Sequence, residues 1–512
     1  MGCEAPIHVH SSMGFGIATP VPSATAAANA IRKQGGSVFD MYLTALACAW
    51  VTDPANCGPF GRMQGVFSVA GEVGCLNAAT AIRRVPGSTV PVPGNIAAWF
   101  YFRRSGCLRL PASTLLAPAI ALAKEGFAPS VDLKIALRSE HSAALSEQLK
   151  AIYLDEAGAP RKHVRNPELA KLLHALSNSE SECDFWRKLR GADPGHWFPE
   201  ETLDNPVRQP ALRTLDLNLG GQHQRLLTTA AIETWGTWTL VGAAVAVELR
   251  RSGVLSDFPR AMEAYVLSSI LLLDRIPFAV DTLVPKVGHP SVDIDISSEA
   301  IAIAERVIRL LNASNEALWK DLISTYFLGP VNCVPHSNTN HFSMASGDDF
   351  LSFTTSLGSW WASKVSWWGA PLCYSYAMKS GSFFEGQTHD VTEMSPLILE
   401  VAGRPMLAVG SAGSERILGS LTYLLFLRFG LAMGEDMADL LAKPRVFPKD
   451  GKLRMHTDFW PDARAHLQTR GFEIAPTEYE SDSSLGLVNL VERLDGRLYK
   501  SGADPSTSGS AL

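Results

Sequence analysis

The stretch Ser337-Asn338-Thr339-Asn340-His341-Phe342-Ser343-Met344 decides the fold of this 512-residue chain. From His341 polar and apolar residues alternate, the polar segment 346–349 follows, and a second β-like run covers 350–357. This pattern predicts a β-hairpin whose first strand begins at Thr339. If the chain is cut just before it, Thr339 becomes a nucleophile, because the freed α-amine, with a pKa of about 7.7–8.0, can take the hydroxyl proton. The alternative is an ordinary strand threonine.

Helices and further strands flank the hairpin on both sides. Residues 25–35 predict an Ala-rich helix that ends at Gly35-Gly36, and residues 38–51 predict a helix that is apolar all round and therefore buried. Residues 131–225 predict a helical, more charged peripheral layer, and strand patterns recur at 397–409. These layers favour an α+β fold in which stacked antiparallel sheets lie between helices.

The composition excludes several classes of protein. Hydrophobic residues make up 46% and charged residues 19% of the chain, as in globular proteins with a large buried interior. The net charge of −6 and the lack of a basic stripe argue against nucleic acid as a partner. Eight cysteines are scattered without a C-x-x-C pair, which predicts reduced thiols and no metal site.

Residues 1–20 lack the basic region and apolar run of a secretory signal. The longest apolar runs, 264–273 and 417–433, are short or interrupted by Arg428, so we expect buried helices, no membrane partner and a cytoplasmic protein.

The chain resembles the γ-glutamyltranspeptidases, members of the N-terminal-nucleophile (Ntn) hydrolases, over nearly its whole length and in the same order. Thr339-Asn340-His341-Phe342-Ser343 resembles the Thr-Thr-His-Phe/Tyr-Ser that opens the small subunit of that family. The other matching landmarks are 26–54, Pro93-Gly94, 116–127, Met394-Ser395-Pro396, Gly410-Ser411-Ala412-Gly413, Lys443-Pro444-Arg445 and Gly502-Ala503-Asp504-Pro505. The resemblance implies the αββα sandwich of the Ntn hydrolases.

The resemblance also implies a mechanism. The precursor would cut itself between Asn338 and Thr339 into a large fragment, 1–338, and a small fragment, 339–512, paired as a heterodimer, with a dimer of such heterodimers left open. The Thr339 hydroxyl would attack a small-molecule amide or acyl substrate, and the backbone N–H groups of Gly413 and Ser414 would form the oxyanion hole. No cofactor and no metal ion is implied.

The substrate-binding positions depart from the family pattern. Where the family holds the α-amine of glutamate with acidic and amide residues, this chain has Tyr-Ser-Tyr-Ala-Met-Lys-Ser at 374–380, which includes Lys379. Thr392-Glu393 replaces the Ser-Ser pair that holds the α-carboxylate, and the position of the family's arginine falls within 77–80. Like charges at ~4 Å repel by on the order of 4 kcal/mol at an effective dielectric constant near 20. We therefore expect Lys379 and Glu393 to reject a glutamyl head group, which predicts a different substrate.

Two further departures lie close to the nucleophile. Ser414 replaces the second oxyanion glycine, and the glycine-rich loop is reduced to Gly-Pro-Phe-Gly-Arg at 58–62. The tryptophans at 360, 361, 367 and 368 either line an aromatic substrate pocket, together with Ser356, or pack in the core or at the subunit contact.

Three functional classes fit these residues. The first is an autoprocessing amidohydrolase or acyltransferase. The second is a biosynthetic enzyme of secondary metabolism that uses the same threonine to break a C–C or amide bond. The third is a non-catalytic pseudoenzyme that never cuts itself.

Other motifs favour structural roles. His336 and His341 have no acidic residue nearby, so a hydrogen-bonded core histidine is favoured over a metal ligand. Gly410–Gly413 is interpreted as a turn, since it lacks the G-x-S-x-G pattern, and Asp348-Asp349 as a hairpin cap.

Overall fold

The computed structural model describes residues 8–83, 87–192, 207–231, 234–276, 294–326, 337–383, 386–449, 451–477 and 485–512. Before Thr339 the elements are, in chain order, β1 (Val9–Met13), β2 (Phe15–Thr19), α1 (Pro22–Lys33), α2 (Val38–Thr52), β3 (Arg62–Val69), β4 (Glu72–Ala78), α3 (Asn95–Arg104), α4 (Ala112–Glu125), α5 (Val131–Arg138), α6 (Glu147–Tyr153), α7 (Pro167–Ser177), α8 (Glu182–Ala192), β5 (Leu212–Leu219), β6 (Gln222–Thr229), α9 (Gly236–Arg251), α10 (Phe258–Arg275), α11 (Ile296–Leu311) and α12 (Asn315–Tyr326).

The strand that carries Thr339 opens the second half of the fold. Its elements are β7 (Ser337–Ser346), β8 (Asp349–Ser359), β9 (Ser366–Trp367), β10 (Ala370–Pro371), α13 (Tyr376–Ser380), β11 (Leu397–Val401), β12 (Arg404–Ala412), α14 (Arg416–Leu425), α15 (Met437–Leu440), β13 (Val446–Lys449), β14 (Lys452–His456), α16 (Pro461–Thr469), β15 (Ile474–Thr477), β16 (Leu487–Asp495), β17 (Leu498–Ala503) and β18 (Ser510–Ala511). A π-helical turn, Phe426–Gly430, continues α14.

The hairpin predicted around Thr339 is confirmed. β7 and β8 pair antiparallel, with Phe342 opposite Phe353, and Gly347 provides the positive φ of 60° that the turn requires. The first strand begins at Ser337 rather than at Thr339, because the backbone pairing continues through a bulge between Asn338 and Thr339.

Among the described residues, most strands lie in two large antiparallel sheets. Sheet I has six strands in the order β18-β2-β7-β8-β3-β4, and sheet II has seven in the order β1-β17-β16-β12-β11-β6-β5. β7 occupies a central position in sheet I, next to β2 and β8. Both sheets combine strands from before and after Thr339, so the two parts of the chain share both sheets of the sandwich.

The two sheets pack face to face through a small apolar cluster. Val66 and Phe350 of sheet I meet Ile398, Ala408 and Val491 of sheet II, all fully buried. Two larger clusters cover the outer faces, one between sheet I and the helices from α1 to α8, the other between sheet II and the helices α9, α10, α11 and α14. The αββα arrangement predicted from the sequence is therefore confirmed.

The first two helices follow the sequence closely. α1 ends before Gly35, whose φ of 83° makes the turn. Ser37 then opens α2 with a capping box: the Ser37 hydroxyl accepts a hydrogen bond from the backbone N–H of Asp40, and the Asp40 carboxylate accepts one from the backbone N–H of Ser37. Every residue of α2 is buried, as its apolar pattern predicts.

The peripheral layer differs in one respect from the expectation. Residues 131–192 contain helices, but β5 forms an edge strand of sheet II. Leu215 and Leu217 are buried, whereas the residues between and around them are more exposed. Buried and exposed residues therefore alternate with the period of two of a β-strand, inside a segment whose sequence predicts helix.

Candidate functional site

Thr339 lies in a row of three side chains across the centre of sheet I. Ser356 on β8 is directly opposite Thr339, and Arg62 on β3 is directly opposite Ser356. Opposed residues in antiparallel strands share a face, so all three side chains project on the same side of the sheet. This side faces sheet II, because Ser343, four residues after Thr339 on the same strand, donates to the carbonyl oxygen of Asn489 on β16. All three side chains of the row are buried.

The next two rows on the same face, His341–Thr354 and Ser343–Ser352, show how sheet II lies over Thr339. Ser352 donates to the carbonyl oxygen of Val409 on β12, and the ring of His341 leaves no room for a side chain at Gly410. The part of β7 from Ser343 back to Thr339 therefore faces the part of β12 that runs from Val409 toward its end at Ala412. Extended along both strands, this register leads us to expect the turn that follows β12 near the level of Thr339.

That turn contains the two residues predicted to form the oxyanion hole. Gly413 has a φ of 118° and Ser414 a φ of 60°, after which the chain enters α14. Among the described residues, neither backbone N–H donates a hydrogen bond. Free N–H groups before the first turn of a helix attract negative charge, which suits them to stabilise an oxyanion. A left-handed conformation costs a non-glycine residue about 1–2 kcal/mol, so Ser414 stores strain at this position.

Two of the predicted substrate-binding residues, Glu393 and Thr392, contact Ser414 and Gln64 respectively. Glu393 accepts a hydrogen bond of 2.6 Å from the hydroxyl of Ser414, and Thr392 donates one of 2.9 Å to the side-chain oxygen of Gln64. Burial raises the pKa of Glu393, although the hydrogen bond from Ser414 opposes the rise. Gln64 follows Arg62 by two residues on β3 and so shares its face. The structure thus brings Glu393 and Ser414 together and places Thr392 against Gln64, which lies opposite Thr354 in the row next to that of Thr339.

A buried charged pair, which the sequence motifs do not predict, lies at the end of this row. The guanidinium of Arg62 lies 3.6 Å from Asp390, and both side chains are almost fully buried. Asp390 also accepts hydrogen bonds from the hydroxyls of Thr80, at 2.7 Å, and Ser375, at 2.5 Å. Burial raises the pKa of Asp390, although Arg62 and both hydroxyls oppose the rise. The sequence of the loop at 58–62 indicates only a loss of glycine, whereas in the structure its last residue, Arg62, places a cation in the site.

A second contact that the sequence motifs do not predict anchors β7 on the opposite face of sheet I. Asn340 points to the opposite face of sheet I and donates to the carboxylate of Asp53 at 2.8 Å. Asn56 donates to both carboxylate oxygens of Asp53, at 2.8 and 3.0 Å. Burial raises the pKa of Asp53 to about 6, and the hydrogen bonds from Asn56 and Asn340 oppose the rise. This contact ties β7 to the end of α2, one residue after the nucleophile.

His341 is the hydrogen-bonded core histidine that the sequence favours. Its Nδ1 lies 2.8 Å from the hydroxyl of Thr354 and its Nε2 lies 3.0 Å from that of Ser343. Burial lowers its pKa to about 3, so the ring is neutral at ordinary pH. His336 lies outside the described residues. No cluster of three or more His, Cys, Asp or Glu side chains in the described ranges is arranged to hold a metal ion.

Lys379 is not brought into the group. It is exposed on the short helix α13, and no contact joins it to Thr339, Glu393 or Arg62 within the described part of the chain. Its assignment to substrate binding stays a prediction.

The tryptophan-rich segment packs in the core beneath sheet I. Trp361 is fully buried with its ring centroid 5.2 Å from that of Tyr153, and Trp367 stacks on Trp186 at 6.5 Å. Trp360 and Trp368 pack against the same cluster. The rings of Trp361 and Trp367 therefore pack against helices in the core, as one of the two alternatives predicts. The interpretation of this segment as an aromatic substrate pocket stays a prediction.

The helices in the described ranges do not combine the length and the apolar character that a membrane span requires.

Comparison with known proteins identifies relatives of this fold. Residues 74–188 and 297–512, more than half of the chain, match the family model described as Gamma-glutamyltranspeptidase. No curated protein matches the sequence. The crystal structure of a cephalosporin acylase from Bacillus halodurans superimposes with a TM-score of 0.76 at 15% identity, over 100% of this chain and 98% of that one. The structure of LmbA2991HD superimposes with a TM-score of 0.70 at 16% identity, over 99% of this chain and 100% of that one.

Proposed function

Because this chain belongs to the gamma-glutamyltranspeptidase family of Ntn hydrolases, we propose that it is an autoprocessing enzyme that cleaves or transfers an acyl group through Thr339. The single observation that supports this most is the placement of Thr339. Its side chain is buried on the face of sheet I that meets sheet II, and the register of β7 against β12 runs toward a turn whose two backbone N–H groups, at Gly413 and Ser414, have no partner among the described residues. A nucleophile and an oxyanion hole are the two parts that acyl transfer requires.

The first reaction is the cut that frees Thr339. Its hydroxyl oxygen attacks the carbonyl carbon of Asn338, the C–N bond breaks, and the proton passes to the departing nitrogen, which leaves an ester and a free α-amine. Water then hydrolyses the ester, so that the fragments 1–338 and 339–512 remain as separate chains. They stay paired as a heterodimer because both sheets contain strands from both fragments.

The second reaction uses the freed α-amine as the base. With a pKa of about 7.7–8.0, it removes the hydroxyl proton as the oxygen attacks the substrate carbonyl. The N–H groups of Gly413 and Ser414 hold the resulting oxyanion, and the amine product leaves with the proton. Water or an acceptor amine then releases the acyl group from Thr339.

The substrate is a small-molecule amide other than a γ-glutamyl compound. Glutamate carries an ammonium group next to its α-carboxylate, and such a group needs ionised acids as partners. The acids that the structure describes around Arg62 and Ser414 include Glu393 and Asp390, and burial raises the pKa of both. Their carboxyl oxygens already accept hydrogen bonds from hydroxyl groups of this chain, those of Ser414, Thr80 and Ser375.

Turnover of an amide panel by purified protein tests the proposal, with mass-spectrometric detection of both products. Thr339→Ala removes the attacking oxygen, so we expect neither cutting nor turnover, while the conservative Thr339→Ser variant keeps a hydroxyl and retains both at lower rate. Turnover by Thr339→Ala at the wild-type rate would place the nucleophile elsewhere. Absence of turnover in the wild type, together with an uncut chain, would favour the pseudoenzyme.

A further inference from the structure

A buried carboxylate lies behind the strand that carries Thr339. Asp53 is only 4% exposed, and its chain neighbours Val51 and Ala55 belong to the apolar cluster between sheet I and the helices. The described part of the chain gives it no cation as an ion-pair partner. It also caps the C-terminal end of α2, where the helix dipole disfavours negative charge. A carboxylate in such a place costs stability, which favours a role in the chemistry of the protein.

Hydrogen bonds join this carboxylate to β7. The side-chain amide of Asn340 donates to Asp53 at 2.8 Å and to the sulfur of Cys57 at 3.1 Å. Asp53 is itself held in place, because its backbone N–H donates to the carbonyl oxygen of Ala49 at 2.8 Å, within a helix that is buried throughout. The side chain of Asn340 is therefore fixed between a rigid helix end and its own strand.

The position of Asn340 relates this contact to the nucleophile. Asn340 immediately follows Thr339 and lies directly opposite Thr355, whereas the register of β7 against β8 shifts between Asn338 and Thr339. A bulge disrupts the ladder of hydrogen bonds that would otherwise constrain the backbone. The contact at Asn340 therefore adds, from the opposite face of sheet I, a constraint on the backbone that directs the Thr339 side chain.

We propose that Asp53 is a positioning residue for Thr339: through the side chain of Asn340 it holds the β7 backbone in the conformation in which the Thr339 hydroxyl reaches its target carbonyl. The inference rests on the proposed function of Thr339 and adds to it a residue behind the sheet. An ionised carboxylate accepts hydrogen bonds that are roughly twice as strong as those of a neutral acceptor. Protonation of Asp53 therefore weakens the anchor.

The anchor should respond to pH. Burial raises the pKa of Asp53 to about 6, and the hydrogen bonds from Asn56 and Asn340 oppose the rise. The other titratable groups that face it are Cys57, a neutral thiol whose pKa burial raises, and Asp132 on α5, whose charge raises the pKa of Asp53 further. The cost of the buried charge is present above pH 6 and is relieved as the pH falls. Acidification from pH 7 to 5 therefore weakens the anchor without destabilising the fold through Asp53.

Three variants separate positioning from folding. Asp53→Asn is permanently neutral, and the side-chain oxygen of Asn56, buried without a hydrogen-bond partner among the described residues, can accept from the new amide. Asp53→Asn should therefore melt no lower than the wild type at pH 7.5. Asp53→Ala removes the acceptor of Asn340 altogether. Glu492→Gln is the matched control, because it removes another buried carboxylate, on β16, whose pKa is raised to about 7.

The rate of the cut before Thr339 tests the inference, because the α-amine is not yet free to titrate. Chains made in a cell-free system are moved to buffers between pH 5 and 8, and the cut is followed on denaturing gels. At pH 7.5 the wild type should cut about five- to tenfold faster than Asp53→Asn and about ten- to a hundredfold faster than Asp53→Ala, from the strengths of charged and neutral hydrogen bonds. The ratio of wild type to Asp53→Asn should fall toward one at pH 5, and Glu492→Gln should follow the wild type throughout.

Two further measurements examine the route through Asn340. Asp53→Ala and Asn340→Ala should slow the cut by similar factors, and D53A/N340A should slow it no further, because both remove the same contact. Hydrogen exchange in Thr339→Ala, which keeps the chain uncut, reports on the anchor without the reaction. The segment 337–346 should exchange faster at pH 7.5 in D53A/T339A than in Thr339→Ala alone.

The outcomes distinguish the inference from the proposed function. Cutting by Asp53→Ala at the wild-type rate, or a ratio of wild type to Asp53→Asn that does not change with pH, overturns the inference alone. Additive effects of Asp53→Ala and Asn340→Ala overturn the route through Asn340. A wild type that is never cut overturns the proposed function, and exchange then decides the inference: faster exchange in D53A/T339A supports the anchor, and unchanged exchange overturns it.

Discussion

Ser414 offers a quantitative test of the oxyanion hole, because its backbone and its side chain have separable roles. Its hydroxyl donates to buried Glu393 at 2.6 Å, and its backbone has a φ of 60°. Ser414→Ala loses the donor and keeps the strained backbone, so we expect the free energy of unfolding to fall by about 1–3 kcal/mol. Ser414→Gly loses the same donor but relieves left-handed strain, so it should be more stable than the alanine variant by about 1 kcal/mol.

The same two variants report on catalysis. The proposed oxyanion donors are backbone N–H groups, which both substitutions retain, so kcat should stay within about tenfold of the wild-type value, equivalent to ~1.4 kcal/mol. Urea unfolding gives the stabilities, and steady-state hydrolysis of the best amide gives kcat. If the hydroxyl itself held the oxyanion, both folded variants would lose about 10²–10³ in kcat. That result, or equal stability of the two variants, would refute this account of Ser414.

Three further predictions follow from buried polar groups and from the substrate site. Burial lowers the pKa of His341 to about 3, so below about pH 6.5 the unfolded chain binds a proton on this histidine that the folded protein does not bind. As the pH falls from 6 to 4, the free energy of unfolding of the wild type should therefore decrease by about 1.4 kcal/mol more per pH unit than that of His341→Gln. Parallel stability profiles of the two proteins would contradict this. Asp504→Asn leaves Arg445, 2.7 Å away and equally buried, without its counter-charge, and should lower the free energy of unfolding by about 3–5 kcal/mol, with partial recovery in R445M/D504L. Activity on γ-glutamyl-p-nitroanilide should be very low or absent, and robust Thr339-dependent hydrolysis of it would show that the role of Glu393 and Asp390 is misread.

The fold could be predicted largely from sequence because its signals are local. The alternation after His341, the Gly35-Gly36 stop and the apolar α2 each determine a neighbouring element. β5 was missed because its alternation lies within a segment whose charge and composition favour helix.

The charged part of the site could not be predicted in the same way. Asn340 and Asp53 are 287 residues apart in the chain, and only the pairing of β3, β7 and β8 places Arg62 in the row of Thr339. Glu393 and Ser414 could be located from the sequence because each adjoins a motif of the resembled family, Met394-Ser395-Pro396 and Gly410-Ser411-Ala412-Gly413 respectively. The family motifs give no information on where the Lys379 side chain points, because this depends on how the short helix α13 packs against the rest of the fold.

The identity of the first residue of the small fragment tests the central claim most directly. Purified wild-type protein, incubated to completion, should separate on a denaturing gel into fragments of about 36 and 19 kDa, scaled by length from 55.3 kDa. N-terminal sequencing of the smaller fragment should then read Thr-Asn-His, beginning at Thr339. A single uncut band, or a cut at any other bond, would contradict the assignment of Thr339 as an N-terminal nucleophile.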